Sequence, residues 1–312
     1  MCGIVGAVLN GKNAVDEVYC GLKRLEYRGY DSVGMSVLDG KNICTVKHGG
    51  RVESIGEEVK KLRGEIAIGH TRWATHGQPT DINAHPHTCG KFSIVHNGII
   101  ENYRDLKREL EDKGEKFVSE TDSEVIVRLL NICYSGDMLG AIAKTVSKLK
   151  GSFALAVLCA DFDGIVAVKY KNPIILGFDG QNTYISSDIP ALPQCVESVC
   201  VPEDGDIAVI THGNVKFYDF SLNVKNRVKS PISLGQFAQG KGNYPHFMIK
   251  ETCEAARTLC DTVGAFERNV DKKKLKSLVE NADRIIITGC GTAYNAGLAV
   301  EKEFGIFAFT RA

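Results

Sequence analysis

Between Cys2 and about Tyr218 the chain is a succession of short β-rich runs separated by turns, and this pattern restricts the fold more than any other feature. The runs are Gly3–Leu9, Gly34–Leu38, Ile66–His70, Phe92–His96, Phe153–Cys159, Gly164–Lys169, Ile174–Phe178, Thr183–Ser187 and Asp206–Ile210. Most are joined by turns rather than helices, so an antiparallel α+β architecture is expected over a parallel one. Three helical patterns interrupt them: Ala14–Arg24, Ile100–Lys113 and Ser123–Tyr134. Thr121-Asp122-Ser123-Glu124 should start the third by offering side-chain oxygens to backbone N–H groups that a helix leaves unpaired.

After about residue 220 the pattern changes. Residues 221–244 are polar and rich in Gly, Gln and Lys, which predicts a linker. Helices over His246–Asn269 and Lys272–Asn281 then lead to an apolar strand at Arg284–Thr288, a turn at Gly289-Cys290-Gly291-Thr292 and a further helix from about Ala293. Helix, strand, Gly-rich turn and helix open a doubly wound α/β domain. One strand with its helices cannot bury both faces of a parallel sheet, so residues 245–312 are expected to be a truncated α/β segment following a first domain over 1–220. The apolar stretches Ile285–Ile287 and Phe304–Phe309 should then be exposed, covered locally or paired with another chain, and a homodimer is one such outcome.

The 38 basic and 38 acidic residues cancel, and no long basic run or basic-aromatic stripe stands out, so neither nucleic acid nor an anionic membrane surface is an expected partner. A small neutral or zwitterionic substrate fits better. The 11 cysteines are scattered without a C-x-x-C pair, which suits reduced thiols in the cytoplasm. The opening apolar stretch Ile4–Leu9 is too short and lacks a basic lead-in for a signal peptide, and no run of about 18 apolar residues suggests a membrane span.

Four elements carry chemistry. Met-Cys-Gly allows Met1 to be removed, leaving Cys2 with an α-amine whose reference pKa of about 7.7–8.0 lets it take the thiol proton. Within His70–Gly77, Arg72 offers a planar fork for a carboxylate, and Trp73 sits where it can close over a substrate; a surface ion pair and a core Trp are the plainer readings. Asn97 and Gly98, after the apolar run Phe92–Val95, can present a side-chain amide and a bare backbone N–H to one oxyanion, although Asn-Gly alone more often marks a hairpin turn. Asp122 can pair with an ammonium group, cap the following helix, or do both.

Together with Leu25–Ser32, His85-Pro86-His87 and Ser119–Glu124, these segments resemble the glutamine–fructose-6-phosphate aminotransferases across essentially the whole chain. The resemblance implies an N-terminal-nucleophile hydrolase fold, a four-layer α/β/β/α sandwich. It implies Cys2 as nucleophile, Asn97 and Gly98 as oxyanion hole, Arg72, Thr75, His76 and Asp122 as holders of L-glutamine, and Trp73 as gate to the ammonia path. It further implies a fructose 6-phosphate site beginning at Gly291 and Thr292, with no cofactor. Two positions depart from the family pattern: Glu254-Ala255-Ala256 stands where Glu-Gln-Pro is usual, and Ala293 replaces a common Ser in the phosphate turn.

Three other readings remain open at this point. The histidines at 70, 76, 85, 87 and 96 suggest a metal site, but no Cys or carboxylate pair stands near them at structural-zinc spacing, and no metal is expected. Other class II amidotransferases share the Cys-Gly-Ile start. A non-catalytic or regulatory chain retaining the glutaminase lobe is the third.

Overall fold

A computed structural model describes residues 2–74, 77–232, 243–289, 291–304 and 308–311. The chain divides into two compact units, Met1–Ala238 and Gln239–Ala312. The first is built on two antiparallel sheets. An eight-stranded sheet runs edge to edge β15 (Ser230–Pro231), β11 (Ser198–Cys200), β9 (Ile175–Asp179), β10 (Asn182–Ser186), β1 (Gly3–Val8), β4 (Ile66–Arg72), β2 (Ser32–Asp39) and β3 (Asn42–Gly49). A seven-stranded sheet runs β14 (Val224–Lys225), β13 (Asn214–Tyr218), β12 (Asp206–Thr211), β8 (Phe162–Tyr170), β7 (Gly151–Cys159), β6 (Phe92–Ile100) and β5 (His87–Cys89).

Strand side chains alternate between faces, and here both faces are dry, so the central strands read as unbroken apolar runs. Leu155 and Val157 of β7 pack with α3 (Tyr103–Asp112), α4 (Glu124–Cys133) and α5 (Met138–Val146). Their neighbours Ala154, Ala156 and Leu158 face the other way, joining Ile4, Val8, Ile66 and Ile68 between the sheets. On the far side of the eight-stranded sheet, Val5 and Ala7 meet Val15, Val18 and Leu22 of α1 (Ala14–Leu25). Helix, sheet, sheet and helices give the α/β/β/α sandwich.

The structure departs from the pattern-based reading in several places. Strand β6 continues through Asn97 and Gly98 to Ile100, pairing Asn97 with Ala154 and Gly98 with Phe153, so Asn-Gly is not a hairpin turn. The next helix accordingly starts at Tyr103 rather than Ile100. Helix α4 has Ser123 at its N-cap, yet no side chain caps it. Thr121 and Ser123 instead bond His87 Nε2 at 3.0 Å and His96 Nδ1 at 2.8 Å, and Asp122 Oδ2 accepts the N–H of Ile100 at 2.8 Å. Strands β14 and β15, within the stretch read as linker, extend the edges of both sheets.

In the second unit, α6 (Phe247–Asn269) and α7 (Lys272–Glu280) precede β16 (Ile286–Gly289), α8 (Gly291–Phe304) and β17 (Ala308–Arg311), with β17 parallel to β16. The two strands and the helix between them form one β-α-β unit. Met248, Leu259, Val263 and Phe266 of α6 and Leu278 of α7 are exposed.

Candidate active site

Strand register builds the first wall of the site. β1 and β4 pair with Gly3 opposite Thr71, which sets Cys2 against the end of β4. Gly3 is needed for this approach, because a Cβ there would lie 2.7 Å from Thr71 Oγ1 and 2.8 Å from a methyl of Leu25. Cys2 Sγ accepts the N–H of Trp73 at 3.2 Å and lies 3.5 Å from Trp73 O. Burial pushes the Cys2 thiol pKa up, and the hydrogen bond from Trp73 with the charges of Arg72 and Arg28 offsets that only partly.

Arg72 ends β4 and is buried, its Nη1 donating to Gln78 O and its Nη2 to Gly77 O, each at 3.3 Å. Burial lowers its pKa, while Cys2, Asp122, Asp31 and Glu120 favour its charge. Trp73 is 43% exposed and meets Tyr30 edge-on at 5.5 Å. Thr75 and His76 lie outside the described residues.

The second wall is β6. Asn97 is buried and its Nδ2 donates to Cys2 O at 3.2 Å, joining the two sheets at the nucleophile. Gly98 has φ 133°, and a Cβ there would fall 2.0 Å from Ser152 O. Only glycine fits that backbone. Asp122 is tied to the same strand through the N–H of Ile100. The structure thus brings Cys2, Arg72, Trp73, Asn97, Gly98 and Asp122 into one region where the ends of two sheets meet.

The chain is similar to proteins of known chemistry. Residues 70–194 match a family profile described as a glutamine amidotransferase domain. The glutamine–fructose-6-phosphate aminotransferase (isomerising) of Clostridium perfringens is 40% identical over 97% of this chain and 52% of its own length. Its Aquifex aeolicus counterpart is 41% identical over 98% of this chain and 53% of its own. The chain carries the glutamine amidotransferase domain of the glutamine–fructose-6-phosphate aminotransferase family. It spans about half the length of the curated relatives it matches. Among solved structures, the allosteric regulatory enzyme of purine biosynthesis superposes over 72% of this chain and 50% of its own, with TM-score 0.63 and 26% identity. The glutamine phosphoribosylpyrophosphate amidotransferase of B. subtilis shares the fold over 99% of this chain and 65% of its own, with TM-score 0.65 and 22% identity.

Within this amidotransferase domain, several supporting residues carry no motif of their own. Asp31 accepts the N–H of Ala74 at 2.8 Å, while its own N–H donates to Arg72 O at 3.1 Å. Asn83 Nδ2 donates to Gln78 O at 3.0 Å and to Glu120 at 2.9 Å, and Glu120 accepts the N–H of Gln78 at 3.2 Å. This pair clamps the turn whose carbonyls receive Arg72. Asn83 Nδ2 and the Gln78 N–H lower the Glu120 pKa, keeping the clamp anionic. The segments Leu25–Ser32 and Ser119–Glu124 were the available signal for Asp31 and Glu120; nothing in the sequence singled out Asn83. In the second unit, Gly291 and Thr292 open α8, the helix that follows β16. Among the described residues, no helix is long and apolar enough to cross a membrane.

Proposed function

We propose that this chain hydrolyses L-glutamine to glutamate and ammonia with Cys2 as nucleophile. The observation that carries this reading is the junction at Cys2, where Asn97 Nδ2 of the opposite sheet comes within 3.2 Å of Cys2 O and the sulfur rests on the Trp73 backbone. Burial holds the thiol protonated, and among the described residues its hydrogen bonds run only to Trp73. The reaction therefore needs a base beside the sulfur. Removal of Met1 supplies one, the free α-amine of Cys2.

In the proposed sequence the amine takes the thiol proton and the sulfur attacks the γ-carboxamide carbon. The oxyanion then forms against Asn97 Nδ2 and the Gly98 N–H. The C–N bond breaks as the amine returns its proton to the leaving nitrogen, releasing ammonia and leaving a γ-glutamyl thioester on Cys2. Water hydrolyses the thioester to glutamate and restores the thiol. Arg72 holds the α-carboxylate and Asp122 the α-ammonium, with Thr75 and His76 completing the glutamine contacts and Trp73 covering the ammonia path.

The relatives' names couple glutamine to fructose 6-phosphate, and we extend that sugar phosphate to this chain as the ammonia acceptor, with Gly291 and Thr292 facing its phosphate. Residues 1–220 would form the glutaminase domain and residues 245–312 part of the sugar domain, in a cytoplasmic and homodimeric protein. The ten described cysteines are all free, which agrees with reduced surroundings. The test is a glutaminase assay on protein shown by mass spectrometry to begin at Cys2, with acid quenching to trap the thioester. Glutamate release with a γ-glutamyl adduct on the N-terminal peptide is expected; a processed chain that releases none refutes the reading.

A further inference from the structure

Asn97 is useful to an oxyanion only if its amide points the right way. The group can turn by 180°, and one orientation would put a carbonyl oxygen where a donor is needed. A residue without a hydrogen bond to Cys2 among the described residues faces this amide. His70 lies on β4, on the face shared with Ile66 and Ile68, and is completely buried between the sheets. Its Nε2 lies 3.0 Å from the backbone carbonyl of His96 and 3.0 Å from Asn97 Oδ1. A backbone carbonyl can only accept, so Nε2 must carry the proton. That N–H can donate only to an acceptor, which turns Asn97 Oδ1 toward His70 and Nδ2 toward Cys2.

We infer that His70 is a positioning residue for glutamine hydrolysis, fixing the Asn97 amide as an oxyanion donor through its Nε2–H. This rests on the proposed reaction at Cys2 and adds the part that orients it. The surroundings keep the ring in the required state. Burial lowers the His70 pKa to about 3, so the imidazole is neutral and has a single N–H to place. His85, with its ring centre 4.2 Å away, is also held neutral by burial, and His70 Nδ1 meets no acceptor among the described residues. The tautomer is therefore not pulled toward Nδ1.

The test compares wild-type protein with His70→Leu, His70→Asn and His70→Gln. Glutamine places an amide donor near the position of Nε2, whereas asparagine is too short to reach Asn97. His70→Leu and His70→Asn should lose about 10²-fold in kcat with the KM for glutamine within about threefold, since the lost interaction belongs to the transition state. His70→Gln should recover most of that loss. L-Glutamate γ-semialdehyde, which forms a thiohemiacetal with the thiol, should bind more weakly in step with kcat while glutamate affinity is unchanged. Melting temperatures identify a variant that has lost its fold, and the polar pair His70→Asn and His70→Gln then carries the comparison. Wild-type kcat in both His70→Asn and His70→Leu overturns the inference, as does loss of kcat with aldehyde affinity intact, or a Gln variant no better than Asn. A wild-type protein without turnover, or one whose turnover survives Cys2→Ala, instead sinks the reading of Cys2 and this inference with it.

Discussion

The two sheets that meet at the site contribute to it differently. From the eight-stranded sheet come Cys2 and Arg72, whose side chains hydrogen-bond to the backbone of residues 73, 77 and 78 beyond the end of β4. From the seven-stranded sheet come Asn97, Gly98 and, tied to it, Asp122, and these groups also hold β6 against its neighbours. The proposed chemistry is separable from folding on the first wall. On the second the same residues carry both.

Replacing Cys2 with alanine tests the separable wall and should have the largest effect. Loss of a nucleophile that acts with its base typically costs about 10⁴–10⁶ in kcat. Because the sulfur bonds only to Trp73 among the described residues, the melting temperature should stay within about 2 °C. An alanine variant that unfolds would show that the nucleophile wall is structural too.

Acid tests the layer between the walls. His70, His85, His87 and His96 are buried, and burial lowers the pKa of each. Unfolded histidines titrate near 6.5, so below that pH the unfolded chain binds protons that the folded chain refuses. Stability is therefore full above about pH 6.5 and falls as the pH drops toward the folded values, by up to about 5 kcal/mol per pH unit for the four together. Urea unfolding at pH 7 and pH 5 measures this; equal midpoints would mean that these imidazoles are hydrated or charged in the native state.

Gly98→Ala probes the wall where roles coincide. The added Cβ meets a carbonyl at 2.0 Å in backbone with φ 133°, so a cost of about 3 kcal/mol and a melting temperature lower by about 10 °C are expected along with lost activity. Lost activity at an unchanged melting temperature would make β6 as separable as Cys2.

The same contrast explains what the sequence disclosed. The central strands were legible because both their faces are apolar, and Cys2, Arg72, Asn97 and Asp122 could be proposed for the site because each residue type suits one functional group of glutamine. Strands β3 and β5 escaped because polar edge strands carry no such run. Helix α5 escaped although Asp137 caps it by accepting the N–H of Gly140 at 3.1 Å, a signal that its small residues obscured. The residues that orient the site were the least legible. His70 reaches Asn97 across 27 positions and Asp31 reaches Ala74 across 43, and periodicity within a window says nothing about partners so distant.

Asp122→Asn is the finest probe, because it divides the two roles of one side chain. The amide oxygen of asparagine can still accept the Ile100 N–H, so β6 should stay in place and the melting temperature should change by no more than about 2 °C. The negative charge is gone, and with it the proposed pairing to the α-ammonium of glutamine. A charge-assisted hydrogen bond contributes about 1.5–3 kcal/mol, so KM for glutamine should rise by roughly 10- to 100-fold while kcat changes less. Asp122→Ala removes both roles and should add a fall in stability of about 1–3 kcal/mol, the cost of leaving a buried N–H unpaired. If the asparagine variant instead keeps its KM and loses stability, Asp122 is a strand anchor alone, and the ammonium of glutamine must be held by another group.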